Sequence, residues 1–273
     1  MELVMFSKML KRTAGLSISA AGEWIEDLGF DGIDLTVRPG GHIAPSEAAD
    51  QLPGAIDTLQ GQGLSVPMIT TDLTAADDEY AESIFAVAEA TGVEYLKLGY
   101  WRYEGFGTLD RGLADMRENL ADIRALSAEY DVTPAVHTHS GPYLSANPAL
   151  FADTLLQGDP DDLALYVDPG HLVAEGSRSG WELLLDRFAD YIAMVSIKDF
   201  GWFQVNEREW RSEWVPLGEG LVPWSTVAER LDTIGFDGPV SVHSEYHDLG
   251  PEALRAQTRE DVRFLRHLEP FAV

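Results

Sequence analysis

A glycine-centred joint recurs along this chain, each time just ahead of a run rich in aliphatic and β-branched residues. Leu28-Gly29-Phe30-Asp31-Gly32 leads into Ile33-Asp34-Leu35-Thr36-Val37, and Gly61-Gln62-Gly63 into Leu64-Ser65-Val66-Pro67-Met68-Ile69. Thr91-Gly92-Val93-Glu94 leads into Tyr95-Leu96-Lys97-Leu98, and Ile234-Gly235-Phe236-Asp237-Gly238 into Val240-Ser241-Val242. Glycine adopts the left-handed conformation that ends a helix without steric cost, so each joint reads as a helix giving way to a strand. Such alternation calls for a parallel sheet. Filling the intervals predicts eight strands, near residues 3–9, 32–37, 64–71, 95–101, 133–139, 163–168, 192–198 and 239–245, with amphipathic segments such as 77–91 and 109–130 between them. Asn147-Pro148 reads as a helix start. No linker or low-complexity tract divides the 273 residues, and no GxGxxG or Walker-type loop follows a predicted strand. The expected architecture is therefore a closed (β/α)8 barrel spanning residues 1–273 as one domain, in preference to an open doubly wound sheet.

Composition narrows the functional classes. The chain carries 46 acidic residues against 19 Lys+Arg, a formal net charge of −27. Such a surface repels phosphate backbones and anionic lipid, so neither nucleic acid nor membrane is an expected partner. It also stays soluble where salt screens its self-repulsion, which predicts a salt-adapted protein. No apolar run reaches the length of about 18 residues that a membrane span needs. The start Met1-Glu2-Leu3-Val4 lacks the features of a signal peptide, and a cytoplasmic enzyme is expected. The absence of cysteine removes disulfides, thiolate ligands and a cysteine nucleophile from consideration.

Six of the seven histidines fall where a predicted strand ends, although only about one would be expected if roughly a seventh of a barrel's residues lie there. The clusters are His137-Thr138-His139, Asp168-Pro169-Gly170-His171 and His243-Ser244-Glu245-Tyr246-His247, with His42 after an earlier strand. Strand alternation puts His137 and His139 on one side, His243 and Glu245 on one side, and Ser196 and Lys198 on one side. Active sites of parallel barrels lie at this rim, because only there do all the βα loops converge. Imidazoles and carboxylates gathered there imply either a divalent-metal site or a proton-transfer site. Arg38, His42, Lys97, Tyr100, Arg102 and Tyr103 add groups suited to an anionic or hydroxyl-rich ligand. The segment 201–221 is long for a βα loop and reads as a lid, its Trp202, Trp210 and Trp214 serving either as packing or as flat platforms for a sugar ring. Lys198-Asp199 reads either as a structural ion pair or as part of the site.

These motifs, in their order, resemble a known family. Ala135-Val136-His137-Thr138-His139-Ser140-Gly141, Tyr166-Val167-Asp168-Pro169-Gly170-His171, Ser196-Ile197-Lys198-Asp199-Phe200, Pro216-Leu217-Gly218-Glu219-Gly220 and Gly238-Pro239-Val240-Ser241-Val242-His243-Ser244-Glu245-Tyr246 are similar to the xylose-isomerase-like barrels known as sugar phosphate isomerases and epimerases. The resemblance implies a TIM barrel that binds one divalent ion (Mn, Mg, Co or Zn) and acts on a sugar, ketose or polyol derivative; barrels of this kind often pair, so a homodimer is compatible with it. The family's ligands on strands five to eight are glutamate, aspartate, histidine and glutamate. They fall here on His137, Asp168, Ser196 and His243, so only the aspartate matches. His171 matches the histidine that follows it.

On that basis His137, Asp168 and His243 are the expected metal contacts, completed by Glu245, His139 or His171. Glu245 is the leading base, His137 a further catalytic candidate, and Lys198 the group that stabilises a developing oxyanion. The substrate-binding set is Arg38, His42, Lys97, Arg102, His139 and Trp202. The leading expectation is a metal-dependent isomerase or epimerase that removes a proton next to a carbonyl. A lyase or dehydratase of a keto-polyol or 3-keto-sugar is the rival, a non-catalytic sugar-binding barrel a further one, and the net charge argues against an apurinic-site endonuclease.

Overall fold

Eight parallel strands close on themselves in the computed structural model, which describes residues 1–175 and 179–271. The barrel strands are β1 (Glu2–Phe6), β2 (Gly32–Thr36), β3 (Ser65–Thr70), β4 (Tyr95–Lys97), β5 (Thr133–His137), β6 (Ala164–Val167), β7 (Ile192–Ile197) and β10 (Pro239–Val242). Around the barrel they run β1-β10-β7-β6-β5-β4-β3-β2, and every neighbouring pair is parallel. The expected (β/α)8 barrel is the observed fold, and all four glycine joints do what the sequence asks of them. Gly29, Gly63, Gly92 and Gly235 have φ of 82°, 81°, 73° and 71°, values open to glycine and strained for side-chain-bearing residues.

The strands are shorter at their carboxyl ends than the sequence predicts. The first stops at Phe6 and gives way to a helical turn, Lys8–Arg12, and the fourth stops at Lys97. Ladder bonding runs about one residue further, with Leu98 N–H donating to the Ala135 carbonyl and His243 N–H to that of Ile197 (both 2.9 Å). Beyond that the ladder ends, and most of the rim residues lie past the strands. Helix Leu109–Ser127 matches expectation, the preceding one is trimmed to Ala81–Ala90, and Pro148–Phe151 forms a single 3-10 turn leading into a short helix.

Two packed layers hold the barrel. Between strands and helices lies the large apolar core, to which Ile33, Leu35, Ile69, Leu96, Val136, Leu165, Val195 and Val240 contribute from the strands. The residues alternating with these face the barrel axis, where Val4, Met68, Ala135, Ala164, Tyr166 and Met194 form a second, smaller cluster. Continuing the same alternation toward the carboxyl ends sets the site: Val4 leads to Phe6 and Lys8, Ala135 to His137, Tyr166 to Asp168, Met194 to Ser196 and Lys198, and Ser241 to His243 and Glu245.

The 201–221 segment is not an irregular loop. It is largely an antiparallel hairpin of β8 (Asp199–Asn206) and β9 (Glu209–Val215), whose pairs include Phe200 with Trp214 and Trp202 with Ser212. Trp202, Phe203, Val205 and Trp210 are exposed on it. No helix among the described residues is long and apolar enough to cross a membrane.

Candidate functional site

Most of these axis-facing side chains meet in a cavity of about 210 Å³ at the carboxyl ends of the strands. Phe6 and Lys8 reach it from β1, Lys97 and Tyr100 from β4, His137 and His139 from β5, Tyr166 from β6, Lys198 from β7, and His243 and Glu245 from β10. Arg38, Thr70 and Tyr143 complete the wall. Larger depressions of about 660 and 470 Å³ lie elsewhere, lined by no lysine or histidine among the described residues. Chemistry rather than size singles out the barrel mouth.

Lys198 is the hub. Its Nζ lies 3.1 Å from Asp168 Oδ2, 3.2 Å from Glu245 Oε2 and 3.4 Å from His243 Nδ1, with the Trp214 ring 4.8 Å away as a cover. Glu245 is also ion-paired with Lys8 through its other oxygen. Burial opposes the charge on Lys198, but the two carboxylates outweigh it and hold the ammonium above its ordinary pKa. In the same way burial works against the carboxylates and Lys198 overrides it: Asp168 is held at about 2, and Glu245 is held well below the usual carboxylate range.

Asp168 is fixed by two short bonds. Its Oδ1 accepts the His171 N–H (2.9 Å), capping the helix Pro169–Ala174, and its own N–H donates to Thr138 Oγ1 (2.8 Å). The turn at Gly170 passes so close to β7 that an added Cβ would sit 2.4 Å from the Lys198 carbonyl oxygen, so glycine is required for His171 to return over the barrel mouth.

The imidazoles are neutral. Burial, reinforced by Lys198, pushes His137 and His171 well below their ordinary pKa and His139 and His243 down to about 4. His137 Nδ1 is 2.9 Å from Tyr100 Oη and stacks on Tyr166. His243 Nε2 is 2.8 Å from Tyr166 Oη, and His171 Nδ1 is 2.7 Å from Ser140 Oγ. The Nε2 atoms of His137 and His171 are buried without a hydrogen-bond partner, 3.5 and 3.6 Å from Asp168 Oδ2.

Of the residues named from sequence, the structure gathers His137, His139, Asp168, His171, Lys198, His243 and Glu245, with Arg38 and Lys97 on the wall. It does not bring His42, Arg102 or Trp202 to the cavity. His42 packs beside Thr36, 3.5 Å from its Oγ1, and Arg102 lies on the outside against Tyr143. Trp202 rides the outer hairpin and donates its indole N–H to the Ala174 carbonyl (3.3 Å). Asp199 faces away from Lys198 and forms no pair with it; it accepts instead from the backbone of residues 200, 218, 220 and 222 and from Trp224. Sequence reasoning missed Phe6, Lys8, Thr70, Tyr143 and Tyr166 as cavity residues. Two signals could have found some of them: Tyr166 shares the parity of Asp168, and Lys8 is one of only four lysines.

This architecture, a parallel eight-stranded barrel with its polar cluster at the carboxyl ends, is that of a TIM barrel. The model of the xylose isomerase-like TIM barrel matches residues 23–268, and the chain belongs to that family. No curated protein matches the sequence. Among solved structures, the IolI protein with a bound zinc atom is similar at 17% identity and TM-score 0.75, covering 99% of this chain and 100% of that one. The probable 3-DHS dehydratase AsbF of Bacillus anthracis is similar at 15% identity and TM-score 0.71, covering 95% and 98%. The 3-keto-D-glucoside 4-epimerase YcjR of E. coli is similar at 15% identity and TM-score 0.70, covering 98% and 99%. These likenesses show the fold.

A divalent ion is the cofactor that the family suggests, and the residues here do not fit it. The expected ligands His137, Asp168, His171, His243 and Glu245 do gather, but the Lys198 ammonium stands among them. Two carboxylates, Asp168 and Glu245, are already matched by two ammoniums, Lys198 and Lys8. A dication about 4 Å from Lys198 would meet a repulsion of roughly 8 kcal/mol at an effective dielectric of about 20, which offsets the attraction of one carboxylate at the same distance, while Lys8 opposes that of the other. Among the described residues no three His, Asp or Glu side chains are arranged to hold a metal ion.

Proposed function

We propose that this protein is an enzyme that moves a proton on the carbon next to a carbonyl, acting as an isomerase or epimerase of a sugar, ketose or polyol derivative. One observation carries the reading. Three of the chain's four lysines and three of its seven histidines line a single cavity in a protein of net charge −27. Such a concentration of basic groups and neutral imidazoles, with burial and Arg38 pushing Lys97 well below its ordinary pKa, supports binding and polarising an electron-rich, oxygenated molecule.

Roles follow from the local geometry. Among the described cavity-lining residues, His137 alone has a buried ring nitrogen without a partner; with Nδ1–H donating to Tyr100 that Nε2 would carry the lone pair that takes the proton, although burial and Lys198 oppose the imidazolium so formed. The substrate's C–H proton would pass to that nitrogen while the bonding pair moves onto the carbonyl oxygen, where Lys198 offsets the developing charge. Isomerisation follows when the adjacent hydroxyl proton passes to the former carbonyl oxygen, that hydroxyl becoming the new carbonyl, and the carbon-bound proton is returned to the former carbonyl carbon; epimerisation follows when a donor other than His137 protonates the original carbon from its opposite face. Glu245 is the weaker base, because its two ammonium partners hold it ionised and occupied. In this reading it orients Lys198. Arg38 and Lys97 line the cavity without a carboxylate ion-pair partner among the described residues and would hold the distal oxygens of the substrate. The cation dependence expected from the family is not carried into this reading, for the reasons of charge given above.

A dehydratase is the second reading. It is favoured by there being one buried unpartnered imidazole nitrogen among the described cavity-lining residues, since one base suffices to remove a proton before a hydroxyl leaves as water, and the similar AsbF is itself a probable dehydratase. The test is NMR in deuterated water with a panel of ketoses, 3-keto-sugars and keto-polyols. Deuterium entering one carbon of a recovered isomer, abolished by His137→Asn, is the expected result. Loss of water from the product would move the assignment to the lyase. Saturable ligand binding without solvent exchange on any substrate would overturn an enzymatic role and leave a binding protein.

A further inference from the structure

We infer that Lys198 is the resident cation of this barrel and excludes a divalent ion from it. Its ammonium hydrogen-bonds Glu245 Oε2 and His243 Nδ1 and lies 3.1 Å from Asp168 Oδ2 as a charge contact that leaves this oxygen without a hydrogen-bond partner, so it already stands at the meeting point of the negative groups. It is only 4% exposed and lies beneath Trp214, so solvent offers it no easy way out. The neighbouring inward position on β7 is Ser196, fully buried, whose hydroxyl is a poor ligand beside imidazole or carboxylate.

The donors left over explain why this is substitution rather than mere absence of a site. His137 Nε2 and His171 Nε2 have no hydrogen-bond partner and stand 3.5 and 3.6 Å from Asp168 Oδ2. Donors around a tetrahedral ion with bonds of 2.0–2.1 Å are about 3.4 Å apart, so these spacings lie within a few tenths of what a zinc-like ion needs. With the ammonium removed, two imidazoles and the Asp168 carboxylate would face an uncompensated space, with Glu245, still paired to Lys8, beside them. The barrel thus keeps nitrogen and oxygen donors of the right kind, and one lysine decides which cation they meet.

The inference makes Lys198 the electrophile of the proposed reaction, yet its test needs no substrate, so a mistaken reaction would leave the result standing. Protein purified without chelator would be analysed for metal. Chelator-treated wild type, Lys198→Ala and the double variant Lys198→Ala/Asp168→Asn would then be titrated calorimetrically with Mn²⁺, Co²⁺ and Zn²⁺. We expect wild type to carry no stoichiometric metal and to show no saturable uptake, Lys198→Ala to take up one equivalent, and the double variant to lose it. A stoichiometric ion in wild type would overturn the inference, and so would a folded Lys198→Ala that stays indifferent to all three metals. Should Lys198→Ala fail to fold, the wild-type metal content decides by itself: metal-free protein sustains the inference and stoichiometric metal refutes it.

Discussion

Asp34 shows how one buried residue couples the barrel interior to pH. It lies on the axis, with Thr70 Oγ1 donating to Oδ1 (2.7 Å) and Ser241 Oγ to Oδ2 (2.8 Å). Burial pushes its carboxyl up to about 6, and the two hydroxyls pull only part of the way back. Between its unfolded value of 3.8 and about 6 the folded chain binds more protons than the unfolded one, so this residue's contribution to stability falls as pH rises through that window and stays low above it. Asp34→Asn removes the burden. At pH 7.5 we expect the variant to be more stable than wild type by roughly 3 kcal/mol, with the gap closing by pH 4. Urea melts at the two pH values measure it, and a variant equally destabilised at both would contradict the assignment. At this scale alternation made much of the site legible, because His137, Lys198, His243 and Glu245 follow the parity of their strands. Parity carries one to three residues past the strand, as Lys8, Lys198 and Glu245 show, and fails further along the loops, which is why Arg102 and Trp202 lie away from the cavity.

At the level of elements, glycine joints gave the barrel away while the hairpin stayed hidden. Four left-handed glycines mark helix ends in sequence as in structure, and eight strands follow from them. The β8–β9 pair turns at Glu207-Arg208 between the partners Asn206 and Glu209, without the Asn-Gly or Asp-Gly signature of tight hairpins, so its strands read as loop. What anchors that excursion is Asp199. Its carboxylate accepts backbone N–H groups of Phe200 (2.8 Å), Gly218 (3.1 Å), Gly220 (3.2 Å) and Val222 (3.1 Å) together with the Trp224 indole (3.1 Å). An amide in its place would turn one acceptor into a donor facing donors. We expect Asp199→Asn to cost roughly 3 kcal/mol or more by urea unfolding, and the amides of residues 218, 220 and 222 to exchange with solvent far faster. Unchanged protection of those amides would show that the loop is held by something else.

For the whole molecule the decisive quantity is the mismatch between its shell and its centre. The chain carries 46 acidic residues and 19 Lys+Arg, yet Lys8, Arg38, Lys97 and Lys198 all line one cavity, while most of the acidic residues stay in the outer shell. In dilute buffer the charges of that shell repel one another over about 10 Å; at molar salt the range falls to about 3 Å. Mutual repulsion opposes the compact state, so screening should favour folding. The same screening removes long-range repulsion between the shell and an oxygen-rich, anionic ligand, while the cations inside the cavity, at contact distance and largely desolvated, are screened much less. High salt should therefore raise stability and leave ligand capture intact. We expect the melting temperature at pH 7.5 to climb by several degrees between 0.1 and 2 M KCl, most of it below about 1 M, where the Debye length has already collapsed. A parallel series in sucrose, which favours burial through exclusion from the surface without screening charge, should give a smaller and more gradual rise. If KCl and sucrose act alike, or if KCl leaves the melting temperature flat, charge repulsion in the shell is not what limits the stability of this barrel.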